Sequence, residues 1–498
     1  MKKLKTALIQ LHKISGSFIS LLFLMWFLTG FVLIFAGFPH ASRQERFEHL
    51  RPFNPSDVEN IQAFPKHKGK VELEKYYDRP VYRLYSGRRG QSVYDARTLK
   101  KIESFSQDEA KAISESYRKH PVTKIERLET LDSWIPWSYY KPLLPFYKCY
   151  IDDEAHTVLY VSSSSGAIIQ ETNRKSRWMA RIGAIPHWIY FKQLKSNDEL
   201  WKTIIVILGI IGLLACLSGF WVAFYRVKKD ANNEIIKLTI YKKWDYKWHH
   251  LLGWFLVLFL STFTLSGVFY TTDIPAWISA KPEGRSYLSK WNKAHAANNT
   301  ISPSAFWKQL PIKSGLRKIA PSSSMNKQVI NAYYDDYQNP QSFLVINRDS
   351  IVPFSFTENE LISYAQTVFK QHTFELSLQT TYDDYYRQSG MFNHPLPVYK
   401  IQVNDAYNTQ LFIDSNTGKA LTYIDNNKKT RRWLTKALHK FDFPFLVNHD
   451  WLRKLLLIIV LLPCTFMCIT SVVLSWRWLK RQIKRTNRKK KIKHEDHI

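Results

Sequence analysis

The sequence predicts a membrane α-helical bundle of four transmembrane helices in two repeated halves, with two large α+β modules outside the lipid. Three observations carry that reading: four long windows without a charged residue, basic segments confined to one side, and motifs that recur at fixed offsets. The windows lie between Lys13 and Arg43 (29 residues), Lys202 and Arg226 (23), Lys247 and Asp273 (25) and Lys454 and Arg477 (22). Leu, Ile, Val, Phe and Trp dominate each, and a helix needs about 20 such residues to cross a bilayer core.

The elements then follow in order. Residues 1–42 hold the N-terminus and the first helix. The window is too long for the apolar core of a signal peptide and lacks a small-residue cleavage pattern, so it reads as a span. Residues 43–201 form the first outer module, which ends in a segment at the membrane edge. The second helix is 202–225, a basic loop is 226–247, and the third helix is 248–272. The second outer module is 273–453, the fourth helix 454–476, and the tail 477–498. Lys2, Lys3, Lys5 and Lys13 precede the first span. Arg226, Lys228, Lys229, Lys237, Lys242, Lys243 and Lys247 fill the loop, and the tail runs from Arg477 to Lys493 with ten basic residues. Short segments rich in Lys and Arg stay on the cytoplasmic side, which places both termini and the loop there and both modules opposite.

Composition sets further bounds. With 498 residues, 45% hydrophobic and 15% aromatic, the chain is not disordered. Its net charge of +30 raises the question of nucleic acid. The charge sits beside spans, however, where membrane lipid is the simpler partner, and no nucleic-acid partner is expected. Four cysteines exclude a disulfide scaffold and a cysteine-rich metal module. Cys464 and Cys468 read as small apolar packing. There is no G-x-G-x-x-G, P-loop, HExxH or Ser-His-Asp arrangement, and the central loop is too short for a βαβ nucleotide unit.

The internal repeat is the most informative feature. His12-x3-Gly16 and Leu28-Thr29-Gly30 in the first span match His249-x3-Gly253 and Leu265-Ser266-Gly267 in the third at an offset of 237. LPFYKCYIDD from Leu144 matches LPVYKIQVND from Leu396 at 252, and that offset carries Gly166 to Gly418, His187 to His439, Cys216 to Cys468 and Gly219 to Ser471. An insertion of 15 residues in the second module reconciles the two registers. Within the modules, alternating patterns at Val81–Leu84, Thr157–Val161 and Thr409–Ile413 read as strands. Gln107–Lys119 and Thr357–Lys370 read as helices, and Ser165-Gly166 and Thr417-Gly418 as turns.

Of the 16 histidines, four are placed by the repeat. His12 and His249 open the inner ends of spans one and three; His187 and His439 precede spans two and four on the outer side. His67, His120, His295 and His372 sit in polar stretches, His494 and His497 in the tail, and His40, His156, His394 and His449 have no matching His. An ionisable group at the bilayer edge marks a functional site by default, and neutral imidazole is a metal ligand; interfacial anchoring is the plain alternative. Gly30 and Gly267 lie about 27 Å along their helices from His12 and His249, at the level of His187 and His439. Gly219 and Ser471 fall at the level of His12 and His249. Such small residues permit close helix packing, and equally give clearance for a flat macrocycle. Two imidazoles without a carboxylate or thiolate do not complete a zinc site. They do suit the two axial positions of a haem, held non-covalently because no C-x-x-C-H occurs. Whether His249 or its neighbour His250 is the inner ligand stays open.

These residues resemble a known family. His12-x3-Gly16 with Trp26-x2-Leu28-Thr29-Gly30, Trp248-His249-x3-Gly253, Arg432-Trp433 with Leu438-His439, and the Thr417-Gly418 turn are similar to PepSY-associated transmembrane proteins, which include iron-regulated membrane proteins and ferric-siderophore reductases. The resemblance covers nearly the whole chain. It implies periplasmic PepSY-like modules, location in the bacterial inner membrane, two haem b groups on His12, His249, His187 and His439, and reduction of ferric siderophores or other ferric chelates in the periplasm. Ser471 departs from the usual Gly, and Ile185-Pro186-His187 from the commoner Leu-His. Electrons are then expected from a separate donor, a quinol or a cytoplasmic reductase. The aromatic runs 134–140 and 382–386 are candidates for a chelate pocket, with core packing as the competing role. A non-catalytic PepSY membrane protein that binds a peptidase, a peptide or an uptake partner is the alternative function.

Overall fold

The computed structural model describes residues 2–67, 69–86, 90–272, 274–280, 284–293, 309–310, 315–347, 350–387 and 394–495. His295 and His497 lie outside them. The chain divides into two compact units, one of residues 1–38, 178–278 and 430–498, the other of 39–177 and 279–429.

The first unit is helical. Its four long helices, Lys2–Phe35, Asp198–Phe224, Trp244–Thr271 and Asp450–Glu495, are long and apolar enough to cross a membrane. Each begins before its charge-free window, and the fourth continues well past it. The first ends at Phe35, just ahead of Gly37 and Pro39, residues that do not continue a helix. The second is capped by Asn197, whose side chain accepts from the Leu200 N–H, with Asp198 and Glu199 in the first turn facing the positive end of the helix. The first helix packs on the second and fourth, and the third also packs on the second and fourth. Spans one and three are therefore diagonal partners. Ile19, Phe23, Phe27, Ala215, Cys216, Leu256, Leu260, Leu461, Cys464 and Cys468 fill the core between them, and these cysteines are free.

Two short segments seal the opposite end of this bundle. The helix Ala184–Trp188 packs on the first span, and the turn Leu438–Lys440, entered through a π-helical stretch at Trp433–Ala437, packs on the third. Each stops two residues past its histidine, at Ile189 (φ 52°) and Phe441 (φ 53°). A left-handed conformation is uncommon for a side chain of either size, and here it ends both helices so that the imidazole sits at the last turn.

Among the described residues the second unit holds three antiparallel sheets. In chain order the strands of this unit and one small hairpin of the first are β1 (Val71–Tyr76), β2 (Arg79–Ser86), β3 (Gly90–Asp95), β4 (Lys101–Ile102), β5 (Val122–Leu128), β6 (Phe146–Ile151), β7 (Val158–Ser162), β8 (Ile168–Thr172), the hairpin β9 (Lys228–Lys229) and β10 (Ile235–Lys237), β11 (Lys318–Ser324), β12 (Lys327–Tyr333), β13 (Gln341–Asn347), β14 (Ser350–Pro353), β15 (Phe374–Gln379), β16 (Val398–Val403), β17 (Gln410–Asp414) and β18 (Ala420–Ile424). Strands β5–β8 form one four-stranded sheet and β15–β18 another, each in sequential order. The helix Gln107–Arg118 covers the first and Glu358–Val368 the second, and both open with a capping box, Ser106–Glu109 and Thr357–Glu360. The turns after β7 and β17 place Gly166 and Gly418 at φ +63° and +64°, where a Cβ would strike Tyr76 or Phe356.

The sequence suggests separate outer modules, but the third sheet joins them. Its order β14-β13-β12-β11-β1-β2-β3-β4 pairs β1 of the first insert with β11 of the second, Leu73 opposite Ile319 and Glu74 opposite Lys318. Buried charge reinforces the seam. Glu72 Oε1 lies 2.6 Å from Lys70 Nζ and 3.1 Å from Lys318 Nζ, and Arg83 meets Glu74 at 2.7 Å. Burial alone would raise the Glu72 carboxyl, but Lys318 and Lys70 hold it well below the usual carboxylate range. The aromatic runs are packed only in part: Trp137, Tyr139 and Tyr140 are half-buried and Tyr382 is exposed. Trp134 and Ile135 are buried, and Tyr386, fully buried, stacks on Phe412 at 4.5 Å while its hydroxyl donates to the Pro395 carbonyl.

Candidate functional site

Helix geometry decides which of the sixteen histidines meet. His12 lies on the first span and His249 on the third. Because those helices are diagonal, their rings face one another across the bundle, with centroids 6.1 Å apart. At the other end His187 and His439, carried by the two short segments, also stand 6.1 Å apart. Two imidazole nitrogens each about 2 Å from one metal put ring centroids on the order of 6 Å apart. Both pairs have that spacing.

The hydrogen bonds fix which nitrogen is free. His12 Nδ1–H donates to the Ala215 carbonyl, 3.0 Å. His187 Nδ1–H reaches the Trp26 carbonyl at 3.2 Å and the Thr29 hydroxyl oxygen at 2.9 Å. That hydroxyl gives its own proton to the Met25 carbonyl, so it accepts from the ring. His439 repeats the arrangement with the Phe263 carbonyl, 3.2 Å, and Ser266 Oγ, 3.1 Å. For His249 the partners are Ser471 Oγ at 3.2 Å and Thr470 Oγ1 at 3.4 Å, and both hydroxyls donate to the Met467 carbonyl. In all four rings Nδ1 carries the proton and is held. No Nε2 has a hydrogen-bond partner among the described residues. Ligating histidines are oriented in this manner, with the second N–H spent on a carbonyl or hydroxyl and the other lone pair aimed at the metal. In the outer pair burial also keeps the ring neutral, pushing His187 down to about 3 and His439 to about 4.

Space beside the rings matches. A cavity of about 420 Å³ surrounds His12 and His249, and one of about 410 Å³ surrounds His187 and His439. Phe23 borders both. Gly16 and Gly253, one helical turn from His12 and His249, line the inner cavity, and a Cβ on either would meet nothing within 4 Å. Gly219 does something different: a Cβ there would sit 2.6 Å from His12 Cε1, so the missing side chain is the ring's seat. Ser471 takes the corresponding place beside His249 and adds a hydroxyl. Gly267 lies against His439, where a Cβ would be 3.3 Å from Cε1. Gly30 lines the outer cavity but faces Leu461 and not a histidine.

His249, not His250, faces His12. The His250 ring turns to the Ala223 carbonyl, 3.2 Å from Nε2, and packs near Tyr241 and Trp254. Other described histidines have partners of their own: His67 bonds to the Tyr85 carbonyl, His394 stacks on Tyr386, and His49, to which no motif points, packs on Tyr117. Among the described residues no three His, Cys, Asp or Glu side chains converge as a metal-binding group. The two-imidazole sets therefore leave a metal's other positions to a macrocycle, and four Nε2 lone pairs beside two cavities lined largely by apolar side chains fit haem. Thr29 and Ser266, whose hydroxyls meet His187 and His439, are residues of the candidate site that motif reading passed over. Their signal was the hydroxyl residue preceding each repeated glycine.

A search of curated proteins finds no match. The profile of the PepSY-associated TM region matches residues 9–335, well over half of the chain, including His12, His187 and His249 but not His439. The chain belongs to the PepSY-associated transmembrane family.

Proposed function

We propose that this protein is a di-haem electron-transfer protein of the bacterial inner membrane that reduces ferric siderophores or other ferric chelates in the periplasm for iron acquisition. The observation that carries the reading is the matched geometry of the two histidine pairs, each 6.1 Å between centroids with both Nδ1 protons engaged. Non-covalently bound haem b supplies reversible one-electron chemistry. The chain does the rest. His12 and His249 hold the inner group, and His187 and His439 the outer one. The Ala215, Trp26 and Phe263 carbonyls and the Thr29, Ser266 and Ser471 hydroxyls keep the rings from turning. Apolar side chains make up most of both linings, and Phe23 borders both cavities.

Lipid surrounds the spans. A quinol or a cytoplasmic reductase supplies electrons at the inner end, and the ferric chelate accepts them at the outer end. Reduction aids iron release because Fe(II) suits hard oxygen donors less well than Fe(III).

The test uses full-length protein in liposomes, reduced chemically without oxygen and mixed with a panel of ferric chelates in the presence of a coloured Fe(II) chelator. Oxidation of the reduced bands with matching Fe(II) release is expected for at least one chelate. Reduced bands that persist with every chelate would remove the substrate assignment.

A further inference from the structure

The inner cavity has a charged end that its histidines do not account for. Lys13, Arg226 and Arg481 line it beside Tyr241 and Tyr246, and no Asp or Glu does. Arg226 follows the second span, anchored by the bond from the Ile240 N–H to its carbonyl. Its Nε is buried with no hydrogen-bond partner among the described residues. Arg481 reaches only as far as the Tyr246 hydroxyl, 3.3 Å. Asp245, the buried carboxylate on the same stretch of chain, is already held by Arg477. The buried, unpaired N–H of Arg226 is costly unless an anion completes it, and Lys13 and Arg481, both exposed and without an ion pair among the described residues, add positive charge to the same lining.

The outer cavity differs in this respect. It too is lined by two cations and no carboxylate, Lys440 and Arg453. But Arg453 is paired with Asp450 and donates to the Lys440 carbonyl, while Lys440 donates to the Tyr270 hydroxyl, 3.2 Å. The outer cavity thus has an ion pair at its rim, whereas among the described residues none of the three inner cations has one, and Arg481 holds only the Tyr246 hydroxyl.

We infer that Arg226 and Arg481, with Lys13, are positioning residues for the two carboxylates of the inner haem, so that its propionates point toward the basic loop 226–247. This rests on the haem reading above. A guanidinium offers parallel N–H donors that match a carboxylate. A flat apolar body with two carboxylates on one edge matches a cavity with imidazoles in its middle and cations at one end. Positive charge there also stabilises the electron that the iron accepts, so these residues hold the midpoint potential of the inner haem up.

The experiment is a spectroelectrochemical titration of the purified full-length protein, paired with the rate at which haem passes to an excess of a haem-scavenging apoprotein. Arg226→Gln and Arg481→Gln, on different elements, are each expected to lower the midpoint potential of one haem and leave the other unchanged. Each should speed loss of that one haem by about tenfold, the equivalent of one charge-assisted hydrogen bond. Arg226→Lys should keep the potential, because the charge remains, while haem loss still accelerates. Arg453→Gln should leave the affected haem's potential untouched. If potentials and transfer rates in both Gln variants equal those of the wild type, the cations serve another anion, such as a lipid phosphate, and the inference fails while the haem reading stands. A wild-type protein without haem would instead remove the reading beneath it.

Discussion

Gly219→Ala places the sharpest demand on the inner site. The added Cβ would lie 2.6 Å from His12 Cε1 and 2.9 Å from Nδ1, whereas carbon atoms in contact settle at about 3.5–4.0 Å. The ring must give way by about 1 Å, and metal–ligand bonds tolerate about 0.2 Å. Nor can it simply slide, because Nδ1 is tied to the Ala215 carbonyl four residues earlier on the helix that carries Gly219. Overpacking of this kind costs about 1–3 kcal/mol, equivalent to a loss of about 5- to 150-fold in affinity for the axial ligand. The assay is the low-temperature electron paramagnetic resonance and visible spectrum of purified protein. One low-spin signal should weaken in favour of a high-spin one, with the second haem unaffected. Gly267→Ala, where the corresponding contact is 3.3 Å, should change little. A Gly219→Ala protein with both low-spin signals intact would refute the argument that this glycine seats the ring.

Three further outcomes follow from the same geometry. Ser471→Ala keeps the space beside His249 but removes the hydroxyl at 3.2 Å from its Nδ1 and leaves only Thr470 Oγ1 at 3.4 Å; up to about 1 kcal/mol of orientation is lost, read as faster release of the inner haem. Gly253→Leu pushes a side chain into the inner cavity, since nothing lies within 4 Å of its Cβ position, and should abolish one haem by absorbance while circular dichroism stays helical. Glu72→Gln leaves Lys318 and Lys70 without their buried counter-charge and should destabilise the second unit by about 3–5 kcal/mol in chemical denaturation. Because the Glu72 carboxyl is held below its ordinary range in the folded protein, its contribution is present above that range and fades as pH falls through and below it. The wild type should therefore lose stability on acidification over a window where Glu72→Gln does not.

The membrane spans were legible because a bilayer imposes length and apolarity that few other environments demand. Their ends were not. Lys3 to Lys13 and Arg477 to Arg488 continue the helices, as long cationic side chains can reach water from a helix end. The four histidines were legible through the repeat, which singles out positions that composition alone would scatter among sixteen candidates. What each ring touches was not. Thr29 and Ser266 stand in plain view in the repeated tripeptides, yet their hydroxyls matter only because the rotation of spans one and three turns them to His187 and His439. Gly219 and Gly30 looked equivalent, and only packing separates a ring seat from a contact with Leu461. The joining of β1 to β11 leaves no local trace, because edge pairing uses backbone groups every strand possesses. Arg226 was hidden inside a basic loop, where its charge reads as one more topological signal.

The most direct measurement is the haem content per chain, by pyridine haemochromogen against protein mass, in the wild type and in His12→Ala, His249→Ala, His187→Ala and His439→Ala. The account predicts two b-type haems in the wild type and one in each variant, the inner pair of variants losing the same species and the outer pair the other. A well-folded wild-type protein that binds no haem, or variants in which partners across a pair lose different species, would contradict it.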